Sequence, residues 1–262
     1  MSGDIGEGVA QEELKKEPDE AATPEASRLI VICWLGSHDP PLKCIESWAA
    51  FHPASKGWGL RLVRNDQGWL NQKAIDATAD LGARADMIRF ECLEAALLPT
   101  ICVDADVECL QALDAVNASD KPITDFFTAP AFATFESEVA RPGLISTAFM
   151  GGMPGAAFWR KCVEEVAMVD IDALKAAKTP ATLVGSGLLT RVAQGFVKDK
   201  FVVHSSRVVN YEYVTSVKSS ARGAIYGRHG WGSARSYNNL RQIPCQCTIC
   251  RNQFPAWRSP WG

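Results

Sequence analysis

Thr100-Ile-Cys-Val-Asp104-Ala-Asp106-Val-Glu108 is the stretch whose reading decides the fold. Four residues of strand-forming character follow Pro99 and lead directly into three acids, with no glycine or proline between them. Carboxylates at the end of a buried strand emerge at the carboxyl edge of the sheet, where open α/β sheets hold their ligands. In an ordinary loop an Asp-X-Asp tripeptide is a solvated turn or a helix cap. Behind a buried strand, Asp104 and Asp106 instead become candidate ligands for a divalent ion such as Mn²⁺ or Mg²⁺. Such an ion takes hard oxygen donors and keeps positions open for phosphate oxygens.

Working outward, the apolar run Leu29-Ile-Val-Ile-Cys-Trp-Leu35, ended by Gly36, predicts a strand buried on both faces, as in a parallel or mixed sheet. Residues 42–51 predict an amphipathic helix with Ile45, Trp48 and Ala49 on one face, and 59–64 a second strand. Helices are expected over 70–81 and 84–97, and strands over 126–129 and 145–150. A helix is expected over 156–169, a glycine-interrupted loop and helix over 180–196, and a late strand over 201–204. The last sixty residues are rich in Gly, Ser, Arg and Trp and read as loops closing over a site. The expected class is therefore α/β, a Rossmann-like mixed sheet with flanking helices.

The chain has 262 residues, 47% of them hydrophobic, enough to bury one large core without staples. Residues 1–27 carry eight acids against Lys15 and Lys16 and almost no large apolar side chains, so they are expected to form a disordered acidic tail. No stretch reaches the ~18 apolar residues of a membrane span, and the N-terminus is acidic where a signal peptide is basic. The expected location is cytoplasmic. From residue 198 onward ten basic residues face two acids, which suits an anionic partner: a nucleotide diphosphate, a phosphorylated acceptor or nucleic acid. A surface that merely balances the acidic tail is the alternative.

Of the nine cysteines, Cys33, Cys44, Cys92, Cys102, Cys109 and Cys162 sit in apolar segments and read as core thiols. Cys245, Cys247 and Cys250 have zinc-like spacing, but no second pair accompanies them. A structural Zn²⁺, with His204 or His229 as a fourth ligand, and free or redox-active thiols are the two readings. Residues 28–240 are expected to form the main domain and 241–262 a Cys-rich C-terminal segment.

Asp86-Met-Ile-Arg89-Phe-Glu-Cys-Leu93, followed by Ile101-Cys-Val-Asp104-Ala-Asp106-Val-Glu108, resembles the signature of the sugar-binding Asp-X-Asp glycosyltransferases. That superfamily includes family 32 mannosyltransferase-like enzymes, capsular polysaccharide transferases and large clostridial toxins. Trp34-Leu35-Gly36 at the end of the first strand, Ser47-Trp48, and His229-Gly-Trp231-Gly-Ser233 are similar to further elements of its pattern. Leu98 to Cys102, Val31 and Ala234 depart from it.

The resemblance implies a glycosyltransferase A-type fold and a metal-dependent, retaining transfer of sugar from a UDP- or GDP-sugar donor. It assigns Asp104 and Asp106 to the metal, with His229 and Ser233 completing the metal shell or contacting the diphosphate, and Asp86, Arg89, Asp104 and Trp231 to the donor, with Trp34 beside the nucleobase or simply in the core. Arg89 would act with the two aspartates in catalysis. It also implies that Gly151-Gly152 and Gly185-Ser-Gly187 line the acceptor side. Physically, an Asp and an Arg three apart on a helix share a face and can form a polar clamp; the alternative is an exposed ion pair. No pair of carboxylates stands out as nucleophile and acid, which argues against a two-carboxylate hydrolase. The expected acceptor is a glycan or lipid-linked sugar. A modified nucleic-acid base, and a binding module without turnover, are the alternatives.

Overall fold

The computed structural model describes residues 25–36, 39–115, 125–137, 141–196, 200–211 and 226–229. Its sixteen labelled elements are, in chain order, β1 (Arg28–Cys33), α1 (Leu42–Phe51), β2 (Trp58–Val63), α2 (Gln72–Asp76), α3 (Leu81–Glu94), β3 (Thr100–Asp104), β4 (Val107–Cys109) and β5 (Ala131–Ser137). They continue with β6 (Arg141–Gly152), α4 (Ala157–Ala167), α5 (Ile171–Ala176), α6 (Ala181–Val184), α7 (Ser186–Gln194), β7 (Phe201–His204), β8 (Val209–Tyr211) and β9 (Gly227–His229). Six strands form one mixed sheet in the order β2-β1-β3-β6-β5-β7, and a second sheet has the order β4-β9-β8. β1 runs parallel to β2 and β3, while β6 is antiparallel to β3 and β5. The expected α/β class with a mixed sheet and flanking helices is the one observed.

Successive side chains of a strand point to opposite faces. Val31, Cys33, Cys102 and Met150 therefore join one core, shared with α3, α4 and α7. Ile30, Ile32, Ile101, Val103 and Phe149 join the other, beneath Trp48 of α1. The uninterrupted apolar run of β1 is explained by this double burial: Ile30, Val31 and Ile32 are all within 1% of fully buried.

α3 is covered on several sides, by the sheet, α4 and α6. Its burial extends to three charged residues, Asp86, Arg89 and Glu91. Glu91 is satisfied by accepting from the backbone N–H groups of Leu70 and Asn71 at 2.7 and 2.8 Å. The buried thiols of Cys102, Cys109 and Cys162 have their pKa pushed up by burial, which keeps them protonated, as core thiols should be.

Several element expectations are corrected by local side-chain chemistry. The helix over 70–81 is confined to α2. The Asp80 N–H donates to Thr78 Oγ1, and the Asp80 carboxylate takes the Ala83 N–H, so α3 starts at Leu81 rather than 84. Residues 126–129 are not a strand, because Asp125 accepts from the Phe127 N–H and the Thr128 hydroxyl and folds them into a turn. Their apolarity reflects burial of Phe126 in the core. The helix over 156–169 stops at Ala167, and Asp170 caps a separate α5 by accepting from Asp172 and Ala173. Strand β6 is longer than the expected 145–150. Residues 209–211 and 227–229 are strands where only loops were expected.

The acidic tail, over its residues 1–24, and the 241–262 segment with Cys245, Cys247 and Cys250 lie outside the described residues, as do Trp231 and Ser233. Among the described residues, no helix is long and apolar enough to cross a membrane.

Candidate metal centre

Asp104 closes β3 and Val107 opens β4, so Asp104-Ala-Asp106 is the step by which the chain passes from the large sheet to the small one. Val103, Ala105 and Val107 all join the core under Trp48. That alternation turns the intervening side chains of Asp104 and Asp106 away from this core, where they stay 28% and 29% exposed. Spacing by two is thus what puts both carboxylates on one side of the step.

β4 is antiparallel to β9 with Val107 opposite His229. This register delivers a residue 125 positions away in the chain: His229 Nε2 lies 3.1 Å from Asp104 Oδ2 and 3.2 Å from Asp106 Oδ1. His229 is 4% exposed. An imidazole nitrogen between two carboxylate oxygens either carries a proton held by them or turns its lone pair to a cation lodged among all three. These three residues could hold a metal ion. Ligand atoms from the three residues lie within 4.8 Å of one another. In an octahedral shell with ligands about 2.1 Å from the ion, neighbouring ligand atoms stand about 3.0 Å apart, close to both histidine distances. Two carboxylate oxygens and one imidazole also leave about half of such a shell for phosphate oxygens or water.

Arg89 of α3 joins the cluster from beneath. Its Nη2 bonds the Asp86 carboxylate and its Nη1 bonds Asp104 Oδ1. Asp86 and Arg89 are 5% and 2% exposed, so they are not a surface ion pair. Burial pushes the pKa of Asp86 up, against the opposing charge of Arg89 and a hydrogen bond from Thr147 of β6. Arg89 thus pairs with two carboxylates while Asp106 lies against His229, so the cluster has more carboxylates than guanidinium groups, a balance that favours a cation. Gly185, at the N-terminus of α7, lies against Asp86: a Cβ built there would stand 2.1 Å from Asp86 Oδ2.

The structure thus brings together Asp86, Arg89, Asp104, Asp106 and His229. Trp34 follows Cys33, whose cross-strand partner is Asp104, and so stands half-buried at the same sheet edge, packed on the core below Trp48. Gly151 and Gly152 are at the wrong end of the sheet to line this site. They pair with Ile101 and Thr100 at the start of β3, and their missing side chains make room for the Phe132 ring and the Trp159 indole. Thr147 and the contact of Gly185 with Asp86 were not foreseen. A hydroxyl pair, Ser146-Thr147, inside an apolar strand was the available signal.

No family model matches the chain. No curated protein matches it either. Among solved structures it is similar to the PaToxG glycosyltransferase, at 12% identity over 65% of this chain and 69% of that one, with a TM-score of 0.46. It is also similar to a glycosyltransferase involved in the glycosylation of the major capsid of PBCV-1, at 14% identity over 82% of this chain and 99% of that one, with a TM-score of 0.46.

Proposed function

We propose that this chain is a metal-dependent glycosyltransferase that takes its sugar from a nucleotide-sugar donor. The observation that carries the reading is the convergence of Asp104, Asp106 and His229 at the carboxyl end of β3, with spacings that suit one divalent ion. The motif resemblance supports the same assignment. Asp104, Asp106 and His229 would hold Mn²⁺ or Mg²⁺, which when bound supplies positive charge to a diphosphate leaving group.

Arg89 is fixed by two carboxylates, so its guanidinium is held in place before any ligand arrives and needs no reorganisation to add charge beside the phosphates. Asp86 orients Arg89, and toward a donor sugar the carboxylate would accept from hydroxyls and the guanidinium would donate. Trp34 offers an aromatic face at the same edge for the nucleobase. Trp231 and Ser233 follow His229 closely in sequence, and the motif resemblance assigns them to the donor. Attack by an acceptor hydroxyl with retention, on a glycan or lipid-linked sugar, is the course the resemblance favours.

The test is donor hydrolysis by purified protein across UDP- and GDP-sugars, with and without Mn²⁺. Slow, Mn²⁺-dependent nucleotide release, abolished by Asp104→Ala and by Asp106→Ala, is the expected result. Absence of release together with absence of metal-dependent nucleotide binding for every donor would overturn the reading.

A further inference from the structure

β4 is a strand of only three residues, with β9 on one side and, among the described residues, no strand on the other. An open edge leaves backbone groups that need partners. Here two side chains of α1 supply them, and a third, just past its end, holds the segment that follows. Trp48 Nε1–H donates to the Val107 carbonyl at 2.8 Å, and the Cys109 N–H donates to Ser47 Oγ at 2.8 Å. The Leu113 N–H donates to His52 Nε2 at 2.9 Å. Each of the three is itself fixed. The Ser47 hydroxyl donates to the Cys44 carbonyl at 2.6 Å, and His52 Nδ1–H donates to the Trp48 carbonyl at 3.0 Å. The Trp48 ring is fully buried between His52 and Phe149.

Val107 is the residue that Trp48 holds in this clamp, and it occupies two positions at once. It follows Asp106 in the chain and faces His229 across the β4–β9 ladder. A shift of Val107 therefore moves two of the three candidate ligands relative to Asp104, which is held separately by β1 and by Arg89. We propose that Trp48 and Ser47 are positioning residues for the metal centre, Trp48 acting through Val107 on Asp106 and His229 and Ser47 through Cys109 on the same ladder, with His52 holding Trp48 in place. The inference rests on the metal-centre reading above and deepens it. None of the three side chains needs to touch the ion or the donor.

Trp48→Phe keeps an aromatic ring in the core and removes only the N–H donor, and Ser47→Ala is the milder second variant should Trp48→Phe fold poorly. Two readouts decide the matter. Mn²⁺ affinity, followed by the electron paramagnetic resonance of free Mn²⁺, should weaken about tenfold in Trp48→Phe, as expected for a buried carbonyl stripped of its partner. In a His229→Ala background the same change should weaken affinity less, because only its route through Asp106 remains. Equal weakening in both backgrounds, or none in either, would overturn the proposal.

Amide hydrogen exchange is the second readout and needs no metal. Exchange should rise over 107–109 and 227–229 in both clamp variants while 28–33 stays protected; unchanged exchange at the small sheet would also overturn it. If the wild-type protein binds no Mn²⁺ yet the variants loosen 107–109 and 227–229 selectively, the metal reading fails and the clamp on the small sheet stands.

Discussion

His52 shows how one buried side chain ties stability to pH. Both ring nitrogens are committed, Nδ1–H as donor to Trp48 and Nε2 as acceptor from Leu113, so the neutral ring is the form the fold accommodates. Burial lowers its pKa below the ordinary 6.5, against the raising effects of the Trp48 carbonyl and Asp114, with Lys56 and Arg28 lowering it further. A lowered folded value means that the unfolded chain takes up the proton first as pH falls. The stabilisation is fully present above about 6.5 and is lost as pH drops from there through the folded value. Melting curves between pH 7.5 and 5 should therefore show a decline that is shallower in His52→Gln, which keeps an acceptor without a titrating ring; an unaltered slope would remove His52 from the account. His204, also lowered by burial, contributes a decline that this substitution leaves in place. At this scale Asp104 and Asp106 stand out in the sequence because a buried strand runs directly into them, whereas Arg89 and His229 are reached only through the motif resemblance. The role of His52 is not legible there, since a histidine before Pro53 gives no hint of which amide, 61 residues on, it will meet.

Among elements, the strands buried on both faces and the helix α1 can be read directly, because double burial writes a continuous apolar run and a half-buried helix writes a stripe. α3 is readable as a helix but not in its surroundings. Polar residues are normally taken as marking the solvent face, yet here Asp86, Arg89 and Glu91 lie inside because their partners come from three other places in the chain. The junction of α6 and α7 depends on this. Gly185 and Gly187 both abut atoms that a methyl group would strike, Asp86 Oδ2 in the first case and the Thr182 carbonyl in the second. Alanine at either position should cost about 1–3 kcal/mol of stability in urea unfolding, as overpacking does. Only Gly185→Ala should also weaken Mn²⁺ binding, by displacing Asp86 and with it Arg89. Equal Mn²⁺ affinity in the two variants would show that Asp86 does not steer the centre.

For the molecule as a whole, the candidate centre joins two sheets that otherwise meet through packing. A ligand that binds only the folded form stabilises it by mass action, about 2.7 kcal/mol at a hundred times its Kd. Mn²⁺ should accordingly raise the melting temperature of the wild-type chain and leave Asp106→Ala unmoved; a shift of equal size in both would place the ion elsewhere. This joint is the part of the architecture least visible in the sequence. β4 and β9 are three residues each, too short for any periodicity, and their pairing spans nearly half of the chain.

That separation has a consequence for the growing polypeptide. As the chain leaves the ribosome, β1, β2, β3 and α3 have emerged, with Arg89 beside Asp104, well before His229 has been added. The nascent protein therefore passes through a stage in which the side of β4 that will face β9 is bare and the carboxylates of Asp104 and Asp106 lack their imidazole. Synthesis halted between 110 and 226 would yield chains carrying both aspartates and no third ligand. The centre is completed from the C-terminal side, and a chain cut after residue 222 would lose His229, the candidate third ligand, while keeping all six strands of the large sheet.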